Sequence, residues 1–179
     1  MNFTYTPFPG QTLSQLSAPD LEVLRAVHEG WYVEYKRELP KPADIAKAIA
    51  GFANTYRGGG TVGVAEAGKA DNVAGACPGI SRADMDGALQ SIRQSTAGHL
   101  NPTPHFDLHV VWGPNEAMDL PADHGVICME IPQSPFAPHI HSKGVIYRRV
   151  ADSSETKPET DLHQLNLMWH RREKIHVNY

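Results

Sequence analysis

Cysteine is scarce: Cys77 and Cys128 are the only two in 179 residues. Two thiols cannot build a disulfide framework, so they read as reduced groups in a cytoplasmic protein. Long apolar runs are missing too. None approaches the roughly 18 residues a membrane helix needs, which sets aside a membrane-spanning role. The opening stretch MNFTYTPFPGQTLSQ has neither a basic start nor an apolar core, so no signal peptide is expected. Positive charge is not in excess. Sixteen Lys and Arg stand against 20 Asp and Glu, a net charge of −4 and a pI near 6.2. That counts against coating nucleic acid by bulk charge alone but leaves room for a local basic face. What remains, 41% hydrophobic and 20% charged residues, is the composition of an ordinary globular domain.

Patterning divides the chain into an irregular arm over residues 1–18 and one domain over 19–179. Leu21, Leu24, Arg25 and His28 follow a helical period, with Asp20 or Ser17 as the cap and Gly30 as the stop. Residues 31–38 alternate apolar with charged and suit a strand. Ile45, Ile49, Phe52 and Ala53 mark one face of a helix that should stop near Tyr56-Arg57. Residues 61–66 form a strand, with a further short segment at 72–75. Met85, Leu89 and Ile92 mark a helix over about 82–97. Strands are expected at 105–112, 124–131 and 144–150. A last helix from about 160 carries Leu162, Leu165 and Trp169 on one side. The order predicts an α+β domain with a single mixed sheet flanked by about four helices.

Three carboxylates and a lysine carry the chemistry. On a strand, Glu34 and Lys36 project from the same face. Glu29 lies just before a glycine turn that can fold it back toward Glu34. Glu66 ends the next strand and joins them if the two strands are neighbours. Hard Mg²⁺ or Mn²⁺ ions take oxygen ligands, and a metal with a lysine beside it suits phosphodiester hydrolysis. The plain alternative is an exposed strand whose charges pair with their neighbours.

The run FANTYRGGGTVGV, residues 52–64, puts glycines after a helix and before a strand. Exposed N–H groups there can hold an anion, or the glycines serve a tight turn, with Asn54 bonding its backbone. No Gly-Lys-Ser/Thr follows, so it is no phosphate-binding P-loop.

VEYK at 33–36, IAKAIAGFANT at 45–55, the glycines, TVGVAEAG at 61–68 and VAG at 73–75 together resemble the Schlafen-type AlbA domain. Pro138 and GVIYRRVADSS at 144–154 are similar to a downstream feature of that family. The resemblance runs over about residues 20–175. It implies nucleic-acid engagement. It also implies metal-dependent endonuclease activity, with RNA and possibly tRNA as substrate, and a homodimer to complete a cleft. Carried over by position, Glu29, Glu34 and Glu66 are the metal-binding and catalytic carboxylates, with Lys36 acting on the phosphate. Glu66 stands where Asp is usual, and Tyr35 replaces Phe. The family has also been described as a divergent AAA ATP-binding group, and some members as DNA-binding. A non-catalytic DNA- or RNA-binding regulator, an ATP-binding domain and a protein-interaction module are therefore competing readings.

Positive residues for phosphate contact are Lys36, Arg37, Arg57, Arg148, Arg149, Arg171, Arg172 and Lys174. Arg148 and Arg149 should face opposite sides of their strand, and Trp169 is expected in the core. His139 and His141 share one side of an extended segment, as do His105 and His109. Neither pair has a third ligand at zinc spacing, so no zinc site is expected and the histidines read as surface groups.

Overall fold

The computed structural model describes residues 6–68, 71–150 and 155–176, with side chains through Arg172. Its elements in chain order begin with 3-10 helices at Leu13–Gln15 and Ala18–Ala26. Then follow β1 (Val33–Lys36), α1 (Pro42–Asn54), β2 (Gly58–Val62), β3 (Ala65–Glu66), β4 (Ala74–Ala76) and β5 (Ile80–Ser81). Next come α2 (Arg82–His99), β6 (Leu100–Asn101), β7 (Asp107–Trp112), a 3-10 turn at Glu116–Met118 and β8 (His124–Ile131). The chain closes with β9 (Ile140–His141), β10 (Val145–Arg149), β11 (Thr156–Pro158) and α3 (Leu162–His176).

The α+β class is as predicted, with the strands among the described residues divided among three sheets rather than gathered in one. β8 is the centre of a five-stranded mixed sheet. β2, β5 and β7 all pair with it antiparallel, and β1 pairs with β2 in parallel. β6, β9, β10 and β11 form a second sheet, and β3 and β4 a third. The division has a local cause at Gly63. Its φ of +97° breaks the predicted 61–66 strand in two, so β3 leaves the main sheet. Residues 156–158, between the last strand and the last helix that the sequence predicts, also form a strand and pair with β10.

The glycine run is a strand and not a turn. Gly58, Gly59 and Gly60 occupy β2, and none has a positive φ. A Cβ on Gly58 would lie 2.3 Å from the Phe52 ring, and one on Gly59 would lie 2.3 Å from the Met129 carbonyl oxygen. Close approach of helix and neighbouring strand therefore requires glycine at both positions. The Gly59 N–H is not free to cradle an anion: it donates to the Tyr32 carbonyl at 2.8 Å.

Both faces of the central sheet are buried. On one, α1 and α2 bring Ile45, Ile49, Phe52, Met85 and Ile92 against Val62, Ile127 and Ile131. On the other, Phe8, Leu16, Leu21 and Leu24 meet Val33, Tyr35, Val126 and Cys128. Burying each large side chain contributes roughly 1.5–3 kcal/mol. Residues 18–26 adopt a 3-10 rather than an α conformation, starting with a proline in the first turn. Asp20 Oδ2 accepts from the Ser17 N–H and hydroxyl, both at 2.7 Å.

Trp169 is not in the core. It is 45% exposed, and Met168 is buried in its place. The inward stripe of α3 runs through Leu165, Met168 and Arg171, a one-residue rotation from the stripe the sequence suggests. Among the described residues no helix is long and apolar enough to cross a membrane.

Candidate functional site

Strand β1 sorts its residues by face. Val33 and Tyr35 are buried, and Glu34 and Lys36 project to the opposite side, beside α1. The turn before β1 is closed by the Gly30 N–H donating to the Val33 carbonyl at 3.1 Å. That closure folds the chain back, and the Glu29 carboxylate accepts the Tyr35 N–H. Lys36 Nζ stands 2.9 Å from Glu34 Oε1. The structure thus brings Glu29, Glu34 and Lys36 together at one end of the sheet.

Burial pushes the Glu29 carboxyl above its usual range. The Tyr35 N–H and Lys36 oppose that shift, while the nearby carboxylates of Glu66 and Glu34 add to it. Glu66 lies exposed at the end of β3, near enough to be felt electrostatically by Glu29. An apolar cavity of about 180 Å³ opens beside Glu34 and Lys36, walled by Ile45, Ile49, Met129 and Ile131.

The residue the sequence does not reveal as part of this site is Arg149. Assigned by sequence to phosphate contact, it is 2% exposed. Its Nη1 donates to Glu34 Oε2 at 2.6 Å and its Nη2 to the Gly30 carbonyl. Its guanidinium also lies 4.2 Å from the Phe52 ring centroid. The FANT motif explains the placement. Asn54 is buried and clamps two distant segments: its Oδ1 accepts the His139 N–H at 2.7 Å. Its Nδ2 donates to the carbonyls of His139 and Tyr147, at 3.1 and 2.9 Å. The Thr55 hydroxyl accepts the Arg149 N–H at 3.0 Å and donates to the Gly51 carbonyl at 2.7 Å. Asn54 and Thr55 therefore hold β10 in register over α1 and do not stabilise a glycine turn. No signal in the chain links Glu34 to an arginine 115 positions away.

The other basic residues do not form one patch. Arg57 pairs with Glu130, and Arg148 with Glu159. Arg171 turns inward and donates to the Asn54 carbonyl. Arg37 and Arg172 are exposed, and the side chain of Lys174 lies outside the described residues.

The histidines on β9 and before it are not surface groups. His139 and His141 are buried. His139 Nδ1 lies 2.6 Å from the Pro102 carbonyl oxygen, and His141 Nε2 lies 3.1 Å from that of Ala43. His141 also stacks on His99, with centroids 5.4 Å apart. Desolvation holds both of their pKa values below the ordinary imidazole value. Cys77 and Cys128 are free and buried. Burial pushes their thiols up to about 11 and about 12, which makes them poor nucleophiles.

The donor chemistry of Glu29, Glu34 and Glu66 suits Mg²⁺ or Mn²⁺, being hard carboxylate oxygen. The arrangement does not fit such an ion. Both Glu34 oxygens already face cations, Lys36 and Arg149. Among the described residues no three His, Cys, Asp or Glu side chains are grouped to hold a metal.

Fold and site together define an α+β domain with a charge-compensated carboxylate cluster at one end of its central sheet. The family model described as Schlafen, AlbA_2 matches residues 29–158, and the chain belongs to that family. The match begins at Glu29 and includes Glu34, Lys36, Glu66 and Arg149. Family membership associates the chain with nucleic-acid-related or ATPase-like domains. No curated protein matches it. Among solved structures, the DIP2311 protein from Corynebacterium diphtheriae is similar, with 16% identity and a TM-score of 0.44. That similarity covers 78% of this chain and 25% of the other, so the chain spans about a quarter of that protein's length.

Proposed function

We propose that this domain binds nucleic acid at the Glu29, Glu34, Lys36 and Glu66 cluster and cleaves its phosphodiester backbone as an endonuclease, with RNA, tRNA included, as the expected substrate. The observation that carries the reading is the meeting of a largely desolvated carboxyl, Glu29, with a half-exposed lysine, Lys36. Burial first, and then the neighbouring carboxylates, raise the Glu29 pKa above its ordinary value, which makes its carboxylate a stronger base for taking a proton from the attacking oxygen. The Lys36 side chain is 44% exposed and can hold a non-bridging phosphate oxygen as negative charge builds. Metal-dependent cleavage requires Glu34 to release one of its cationic partners, so the test is run both with and without metal.

A second reading, a non-catalytic nucleic-acid-binding domain, is favoured by a specific observation. The ion pairs of Glu34 with Arg149 and Lys36 make a satisfactory structural unit without any reaction. One experiment separates the two. Labelled tRNA, single-stranded DNA and duplex DNA are incubated with wild type and Glu34→Gln, in Mg²⁺, in Mn²⁺ and in chelator. The endonuclease reading expects cleavage by wild type that the variant loses. Intact substrates, with salt-sensitive binding by both proteins, would establish the binding domain instead.

A further inference from the structure

Next to the carboxylate cluster lies a group of aromatic rings, of which Trp31 and Tyr56 serve neither core cluster nor the proposed chemistry. Trp31 and Tyr32 sit in the turn between Glu29 and β1, and Tyr56 sits in the connection from α1 to β2. Trp31 is 39% exposed and Tyr56 42%. Their rings stack, with centroids 5.6 Å apart and planes 18° from parallel, and Tyr32 lies 6.3 Å from Tyr56. Exposing two large aromatics side by side leaves apolar surface in water and calls for an explanation.

The segments that carry the group are anchored by hydrogen bonds. The two loops that carry it are tied by the Gly59 N–H to the Tyr32 carbonyl at 2.8 Å. The Trp31 turn is fixed at its base by Arg149, which bridges the Gly30 carbonyl and Glu34. One guanidinium therefore anchors both the aromatic turn and the carboxylate site. Arg57 follows Tyr56 directly, with its side chain 41% exposed and Glu130 as its partner. Tyr32 and Arg57 also border a cavity of about 290 Å³, whose wall includes the buried Thr61 hydroxyl. That hydroxyl has no hydrogen-bond partner among the described residues.

We infer that Trp31 and Tyr56 form a stacking platform for unpaired bases of a single-stranded nucleic acid, with Arg57 meeting the adjoining phosphate in exchange for Glu130. Flat π-faces beside a cation that can swap a carboxylate for a phosphate match a base and its backbone. An aliphatic peptide surface would be met by branched side chains, which this group lacks. The inference rests on the nucleic-acid reading above and gives it a strand preference: unpaired over duplex.

The test measures binding of fluorescein-labelled oligo(U), oligo(dT) and a duplex of the same length at low salt, with Trp fluorescence followed in parallel. Wild type should bind the single strands with quenching of Trp31. Trp31→Ala and Tyr56→Ala should each weaken that binding about tenfold, Trp31→Phe should retain most of it, and duplex binding should stay unchanged. The uridine and thymidine arms separate RNA from DNA. Single-strand affinity undiminished in a folded Trp31→Ala/Tyr56→Ala protein would overturn the platform while leaving nucleic-acid binding intact. A drop in sedimenting mass in that variant, with oligonucleotide affinity unchanged, would overturn it in favour of a second copy of the chain. Absence of binding to every nucleic acid would overturn the platform together with the reading beneath it.

Discussion

The two faces of the central sheet are closed by different kinds of chain. One face is covered by α1 and α2, whose apolar residues recur at helical spacing. The other is covered by a 3-10 helix, by Phe8 and Leu16 from the N-terminal segment, and by Met118 and Leu120 from a loop. Both are buried, yet one follows a helical period throughout, while in the other only Leu21 and Leu24 are so spaced and the remaining residues share no period. Part of the second cover, Phe8 to Leu24, also lies outside the segment that matches the family. Strand β1 takes part in both: Val33 and Tyr35 serve the aperiodic face, and Glu34 and Lys36 point to the helical one. A cover can therefore be built without a repeating pattern, provided that enough large side chains converge on it. The carboxylate cluster stands where the two kinds of cover meet.

The largest effects should come from deleting one anchor on each face. Phe52→Ala removes a fully buried ring that packs on Gly58 and lies under Arg149. It is expected to cost about 3–5 kcal/mol in urea denaturation. Leu24→Ala, on the aperiodic face, is expected to cost about 2–5 kcal/mol, because Leu24 is equally buried. A Leu24→Ala protein within about 1 kcal/mol of wild type would break the comparison, reducing the aperiodic cover to a dispensable layer.

The same contrast decides what can be read from the chain. The helix through Ile45, Ile49 and Phe52 and the strands at 107–112 and 124–131 stand close to where periodicity puts them, because one buried face imposes the repeat. Gly58–Gly60 are legible as special but not as a strand, since the reason for glycine there is a ring and a carbonyl from elsewhere in the fold. The face shared by Glu34 and Lys36 follows from the strand period alone. Arg149 is legible only as a positive residue. Its burial against Glu34 depends on Asn54 and Thr55 fixing β10 across more than 90 positions of chain, and no local pattern encodes that. The sequence misplaces His139 and His141 for a similar reason: their carbonyl partners at Pro102 and Ala43 are long-range.

The ion pair at the meeting of the two covers should come next in size. Arg149→Met leaves Glu34 with Lys36 alone and the Gly30 carbonyl without its donor, and is expected to cost about 3 kcal/mol. Glu34→Gln alone leaves a buried guanidinium short of charge. The double variant should recover part of the loss, since removing both charges is milder than stranding one. Additive losses in that denaturation cycle would show that the two residues do not act as a pair.

Protonation sharpens the comparison by its sign. Glu29 holds its proton more tightly folded than unfolded. Its contribution is present below about pH 4.5 and is lost as pH rises through its folded pKa. His139 and His141 behave oppositely, because their folded pKa values are depressed. Their contribution is present above about pH 6.5 and is lost as pH falls through the folded values. Melting temperature followed across this range should therefore carry two opposing slopes. Glu29→Gln should remove the one that falls with rising pH and leave the histidine slope. An unchanged profile in that variant would mean that Glu29 is solvated as an ordinary carboxylate.

The smallest effects concern how each cover is started. Ser81 caps α2, its hydroxyl accepting the Asp84 N–H at 3.2 Å, and Ser81→Ala should cost about 1 kcal/mol. On the other face Asp20 accepts both the N–H and the hydroxyl of Ser17, and Asp20→Ala should cost a similar ~1 kcal/mol. The consequences should differ in extent. A long α-helix keeps its interior hydrogen bonds when its first turn frays. The 3-10 segment has few such bonds to fall back on. Asp20→Ala should therefore speed hydrogen exchange at the Val27 amide, which donates to the Leu24 carbonyl at the far end of its segment. Ser81→Ala should leave the last turn of α2 protected. Equal, local effects in both variants would mean that burial of Leu21 and Leu24 alone holds the aperiodic cover, with its backbone bonds following passively.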